Sequence, residues 1–288
     1  LTRTASSHIR IGTFQFFASM QENSKLKKLA DYTIDRHYPD AKNHENPYLE
    51  LLRNVADNQA YLISKWIGLG FIHGVMNTDN TTLSGETIDY GPCAFMDFYD
   101  PKTVFSSIDR NGRYAFSNQP LIARWNMARL AETLLPLINS DTNKAIEAAT
   151  EIIENFSATY EKFWLKEMRR KFGFKKNKEN DAELFDNFFE TMTNNQVDFT
   201  QSFCALADLA EGNPTKLRNL YLDTKNLDEW INIFNKRSSI ETNLATNIRK
   251  ENPIFIPRNH LVEAALSAAE LEDDYSQFQQ LLEIVTSP

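Results

Sequence analysis

Residues 73–80 read His-Gly-Val-Met-Asn-Thr-Asp-Asn and place an imidazole, a carboxylate and two side-chain amides directly after an apolar helical run. Asp89-Tyr90-Gly91-Pro92 begins nine residues past Asn80. A divalent ion that holds a nucleotide needs hard oxygen ligands, usually one or two carboxylates or amides, with water and phosphate completing its shell. Asn80 and Asp89 face each other if residues 81–88 fold back as a hairpin. Asp79, beside the amide ligand, is then placed to accept a proton or steer an attacking hydroxyl. Each of these residues alone also suits a turn or an Asx cap. The joint order of helix, His-Gly, Asp-Asn, hairpin and Asp-x-Gly is what points to chemistry.

That order resembles the protein-kinase sequence H-R-D-x-x-x-x-N followed by D-F-G. With His73 on the kinase histidine, Asn80 falls on the metal-binding asparagine and Asp89-Tyr90-Gly91 on D-F-G, but the catalytic aspartate lands on Val75. Ordinary γ-phosphoryl transfer loses its base in that register, which favours a pseudokinase-like protein. Longer matches sharpen the comparison. HGVMNTDN at 73–80, IDYGP at 88–92, FMD at 95–97 and GRYAFSNQP at 112–120 resemble the selenoprotein O (YdiU) family. So do Ser7-His8-Ile9-Arg10 with Gly12 and Phe14, and Asn252-Pro253 through Arg258-Asn259.

The resemblance implies a mainly α protein, the C-lobe of a kinase-like fold, with a short β-hairpin at the catalytic and metal-binding loops. Residues 1–288 would be that lobe and the helical region after it, with 73–92 as catalytic loop, hairpin and DFG-like segment. It also implies transfer of AMP from ATP, or UMP from UTP, to Ser, Thr or Tyr hydroxyls of target proteins, with Mg²⁺ or Mn²⁺. The nucleotide would lie inverted relative to ordinary kinases, making the α-phosphorus the electrophile. Carried over residue by residue, Asp79 matches the proton acceptor, Asn80 and Asp89 the metal ligands, and Arg3 and Arg10 two arginines on the ATP phosphates. Asp89 also meets the nucleotide through the metal. A guanidinium offers paired planar donors to phosphate oxygens; without the resemblance, both arginines read as ordinary surface residues. His73 reads as a brace for the loop, and Arg113 and Asn118 carry no assigned chemistry.

No G-x-G-x-x-G lid and no lysine on an N-terminal β-lobe occur. The chain is therefore expected to be a central and C-terminal piece, inactive by itself, of a cytoplasmic protein if bacterial or a mitochondrial one if eukaryotic. The alternative is a helical pseudokinase domain that binds partners without turnover.

The elements that must position these residues are helical. Asn23 or Ser24 is expected to cap a helix carrying Leu26, Leu29, Ala30 and Ile34 on one face. Asn46-Pro47 opens the next, with Leu51, Leu52, Val55, Ala56, Leu62, Ile63 and Trp66 leading to about Gly68. Residues 68–118 hold six of the nine glycines and form a loop-rich island, with two short strands expected around Ser84-Gly85. Helices resume at 121–137 and 141–172, the latter capped by Asp141 and stopped by Gly173. A polar, basic, exposed loop is expected at Lys171–Asn180. Further helices are expected near 181–194, 198–210, 213–222, 227–236, 260–271 and 275–285. Phe156, Tyr160, Phe163 and Trp164, and likewise Phe185, Phe188, Phe189 and Met192, are spaced for core faces.

Composition narrows the classes. Thirty-one Lys+Arg against 39 Asp+Glu give a net charge of −8, which argues against a nucleic-acid or anionic-membrane partner. Two cysteines, Cys93 and Cys204, exclude a disulfide scaffold and read as buried thiols. The five histidines show no zinc-ligand spacing. No apolar run approaches the roughly 20 residues of a membrane span.

Overall fold

A computed structural model describes residues 4–193 and 195–286. The chain divides into two compact units. The first comprises residues up to 65, 73–92 and 106–164; the second comprises 66–72, 93–105 and 165 onward.

The first unit holds α1 (Ile11–Ser19), α2 (Asn23–His37), α3 (Pro47–Leu69) through Lys65, α4 (Gln119–Ile138), and α5 (Thr142–Lys171) through Trp164. α1 packs on both α2 and α4. α3 starts where the sequence says it must. Asn46 Oδ1 accepts the Leu49 N–H at 3.1 Å, its Nδ2 donates to the Ile138 carbonyl at 2.8 Å, and Pro47 occupies the first turn. Leu51, Leu52, Val55, Ala56, Ala60 and Ile63 are buried at helical spacing. α5 is capped by Asp141, whose Oδ1 accepts the Asn143 N–H at 3.0 Å. Its end is closed by Gly173 at φ +73°, with the Phe174 N–H returning to the Arg169 carbonyl at 2.8 Å.

The second unit takes the ends of α3 and α5 and adds α6 (Asp181–Thr193), α7 (Phe199–Ala210), α8 (Thr215–Arg218), α9 (Lys225–Ser238), α10 (Leu244–Glu251), α11 (Asn259–Leu271) and α12 (Ser276–Thr286). Its core is aromatic. Phe172 lies 4.6 Å from Phe185 and 5.4 Å from Phe188 between ring centroids, and Phe188 lies 4.6 Å from Trp230, whose indole N–H donates to the Leu184 carbonyl. Two strands, β1 (Phe71–Ile72) and β2 (Ala94–Phe95), pair antiparallel with Phe71 opposite Phe95.

Several expectations are corrected. The 81–88 segment forms no strand of its own; within it lies only the bridge from Thr81 to Thr87, and Thr82 bridges to Arg10. Thr82 Oγ1 donates to the Glu86 carbonyl and accepts its N–H, using groups a ladder would need. The Leu83 N–H goes instead to the Ile9 carbonyl, and the Ile11 N–H to Thr81. α2 begins at Asn23 itself, with Glu22 at the cap position and no side-chain cap bond. The helix expected over 213–222 shortens to the single turn of α8, and α1 and α10 are additional. Lys171 is no loop residue: it closes α5, 2% exposed, with its ammonium 4.1 Å from the Phe203 ring centroid. The loop after it is pinned, because the Lys175 and Lys176 N–H groups donate to Glu241 and Arg169 and Arg237 converge on buried Asp181. Cys93 and Cys204 are half-buried, as are Tyr160, Phe163 and Trp164, whereas Phe156 is in the core. Among the described residues, no helix is long and apolar enough to cross a membrane.

Candidate active site

The site belongs wholly to the first unit. Asn77 starts a single 3-10 turn over Thr78–Asn80, and its Oδ1 accepts the N–H groups of Asp79 at 3.0 Å and Asn80 at 3.1 Å. This cap satisfies two backbone donors at once and fixes the pitch of the turn that carries both functional side chains. Asn80 Nδ2 donates to the Val75 carbonyl at 3.0 Å, which orients the amide and leaves its acceptor oxygen, Oδ1, on the other side. Asp79 is exposed, and its carboxylate lies against the first turn of α1: a methyl group on Gly12 would stand 1.9 Å from Oδ1.

The antiparallel bridge from Thr81 to Thr87 sets residue 80 across from residue 88, one position before Asp89. Asp89 takes a left-handed backbone, φ +56°, and the Gly91 N–H returns to its carbonyl at 2.8 Å. The exposed Asp89 lines a cavity of about 520 Å³ with Thr4, His8, Arg10, Thr87 and Tyr90. Arg10 is held there by pairing with Thr82 just before α1 begins, and its Nε is buried without a hydrogen-bond partner. An arginine lining a polar cavity, with its paired planar donors, suits an anionic oxygen.

The structure therefore brings Arg10 and Asp89 to one cavity and places Asp79 and Asn80 on the adjoining turn. Arg3 lies outside the described residues. His73 is the brace the sequence suggests. Its Nδ1 accepts the Val75 N–H at 3.3 Å, so the ring proton sits on Nε2 and is donated to the Ile88 carbonyl at 2.8 Å. Burial holds the imidazole below its ordinary pKa, against the opposing pull of the Ile88 carbonyl and the Asp89 charge. Among the described residues, no three His, Cys, Asp or Glu side chains cluster as a metal site. An ion here would depend on the Asn80 amide oxygen and the Asp89 carboxylate, with the remaining ligands supplied by water and phosphate, a donor set that suits Mg²⁺ or Mn²⁺.

The sequence model of the family described as protein adenylyltransferase SelO matches residues 1–286. The chain belongs to the SelO family. Relatives named protein nucleotidyltransferase YdiU are similar to it along its whole length. The one from Chromobacterium violaceum is 50% identical over 293 residues, with all of this chain matched to 61% of that protein. Those from Rhizobium meliloti and Agrobacterium fabrum are 48% and 46% identical, each with 60% of its length covered. The chain thus spans about three fifths of the SelO relatives it matches.

Residues that sequence reasoning did not single out also shape this SelO site. Gln119 and Asn126, both fully buried on α4, bond to the 73–81 loop. Asn77, quoted only as part of a motif, is the cap on which the turn depends. The one available signal was the proximity of Gln119 to Pro120 at a helix start.

Proposed function

We propose that the full-length protein transfers AMP from ATP, or UMP from UTP, to Ser, Thr or Tyr hydroxyls of target proteins. In this reading the target hydroxyl oxygen attacks the α-phosphorus, the bond from that phosphorus to the bridging oxygen breaks, and pyrophosphate leaves. The hydroxyl proton passes to the Asp79 carboxylate. Arg10 binds phosphate oxygens through its guanidinium group, with Arg3 in the same role. Asn80 Oδ1 and the Asp89 carboxylate are the groups that would hold Mg²⁺ or Mn²⁺, which when bound neutralises charge on the triphosphate. The observation that carries the reading is the convergence of Arg10 and Asp89 on one polar cavity beside the Asp79-Asn80 turn.

We assign residues 1–288 to the C-lobe of a kinase-like fold and the helical region following it, with 73–92 as catalytic loop and DFG-like segment. Catalysis of this kind is mostly positioning and charge stabilisation. A chain without a glycine-rich lid and a lobe lysine lacks half of that clamp, so the 288 residues alone should transfer little. The test is incorporation of labelled AMP or UMP into protein, with Mg²⁺ and with Mn²⁺, comparing this chain with the full-length protein. Equal rates would show the additional sequence to be dispensable. No incorporation by the full-length protein with either nucleotide would overturn the reading.

A further inference from the structure

We infer that Gln119 and Asn126 are positioning residues of this site: two buried amides on one face of α4 that fix the 73–81 loop at three points. The inference rests on the nucleotide-transfer reading above for its consequence, not for its geometry. The two residues are seven apart, about two helical turns, so they share a face. Gln119 Oε1 accepts the His73 N–H at 3.0 Å, where the loop begins. Asn126 Nδ2 donates to the Met76 carbonyl at 3.0 Å and to Thr81 Oγ1 at 2.9 Å, on either side of Asp79 and Asn80.

From Asn126 the bonds run on into the functional turn. Thr81 Oγ1 donates in its turn to the Asn77 carbonyl at 3.0 Å, and Asn77 Oδ1 accepts the N–H groups of Asp79 and Asn80. Three side chains thus connect α4 to the two residues that would do the chemistry. The bonds made by Gln119 and Asn126 are buried, in a low-dielectric setting where a hydrogen bond is stronger than in water.

Asn126 also has a feature that stability alone does not explain. Its Oδ1 is buried with no hydrogen-bond partner. An apolar residue of similar size would remove that unpaired acceptor, and packing by itself would favour the exchange. What it could not do is hold Met76 and Thr81 together. The amide therefore acts on loop geometry rather than on packing, in the way that groups behind a metal's direct ligands orient them.

The test uses the full-length protein with Asn126→Leu, Asn126→Ala, Gln119→Leu and Gln119→Glu. Three quantities are read: AMP incorporation across a Mn²⁺ titration, amide hydrogen exchange over residues 76–82, and melting temperature. Asn126→Leu should lower kcat, raise the half-saturating metal concentration, or do both, by about ten- to hundredfold. It should also speed exchange of the Asp79 and Asn80 amides. Asn126→Ala, which also removes the donor, carries the same expectation and serves if the leucine variant fails to fold. Gln119→Glu keeps an acceptor for the His73 N–H and should recover part of what Gln119→Leu loses. If the Asn126 variants shift only the melting temperature, with kcat, metal midpoint and exchange unchanged, the inference is overturned while the function stands. If the wild-type protein transfers no nucleotide, the function reading fails, and the exchange rates still decide whether these amides hold the loop.

Discussion

The Asp79 carboxylate occupies the space that a side chain on Gly12 would need. A methyl group there would lie 1.9 Å from Oδ1 and 3.0 Å from Cγ. Gly12 is therefore required not by its own backbone but by a neighbour from another element. Alanine is the better helix former, so Gly12→Ala should leave the melting temperature close to wild type while forcing Asp79 aside. Loss of a general base costs about 10²- to 10⁴-fold. Turnover of the full-length protein should fall within that range; a variant that is folded and fully active would remove Asp79 from the role of base.

Direct substitution of the site should separate three functions. Asp89→Ala should abolish transfer, because among the described residues no other carboxylate lines the cavity that it shares with Arg10. Asn80→Ala should raise the metal concentration needed for half-maximal rate. Asp79→Ala should cut turnover by about 10²- to 10⁴-fold with the metal requirement unchanged. Parallel metal titrations of the three variants make the comparison, and near wild-type turnover in Asp89→Ala would refute the site.

His73 should be a stability residue with a pH signature. Its folded-state pKa is held below the ordinary 6.5 by burial, so near neutrality the ring is uncharged in both folded and unfolded chains. As pH falls below 6.5 the unfolded chain takes up a proton that the folded one resists. Stability therefore falls, by at most about 1.4 kcal/mol per pH unit, until the folded-state pKa is reached. His37, also depressed by burial, adds to the same window. His73→Ala should lower the melting temperature, with each lost hydrogen bond costing about 1 kcal/mol, and should flatten the slope just below the ordinary 6.5. Melting curves at half-unit pH intervals would reveal this, and an unchanged slope would count against the buried, neutral ring.

Lys171 should show a dependence of the same sign on the alkaline side. Burial brings its pKa down to about 7 from 10.5, opposed by the charge of Glu167. Below pH 7 the ammonium is charged in both states, and the folded chain bears the full cost of burying it. Between about 7 and 10.5 only the unfolded chain stays protonated, so stability rises with pH across that window. Lys171→Met should stabilise the protein at pH 7 and remove this rise. Denaturant midpoints at pH 6.5, 8 and 9 would suffice, and a methionine variant less stable than wild type at neutral pH would show that the charge is worth keeping.

Much of the helical frame could be read from residue spacing. α3 and α5 announce themselves through Asn46-Pro47, Asp141 and Gly173, each of which makes the bond its type predicts. α1 escaped because Phe14, Phe16 and Phe17 spread apolar side chains around the helix rather than along one face, and its cap, Arg10, makes no side-chain bond. α10 escaped because it is eight residues long and opens on Asn243 in a left-handed conformation, which reads as a turn. Lys171 was misread because a lysine beside Lys175, Lys176 and Lys178 looks solvated, and only the tertiary fold lays it on Phe203. For the site, spacing and the family resemblance together pointed to Asp79, Asn80 and Asp89, and the resemblance alone to Arg10; the structure sets Arg10 and Asp89 on one cavity. Gln119 and Asn126 were not, since an amide on an amphipathic helix looks the same whether it faces water or a loop 50 residues away.

The left-handed backbone of Asp89 imposes two selection filters on one codon. Glycine and asparagine are the substitutes that tolerate φ +56° with least strain, and β-branched residues are the worst. Only a carboxylate, however, supplies the charge, and glutamate carries it one methylene further out. A saturation library at this position should consequently split when scored two ways. Ranked by cellular abundance, Gly and Asn would sit at the top beside Asp, with Val and Ile at the bottom. Ranked by nucleotide transfer, Asp would stand alone.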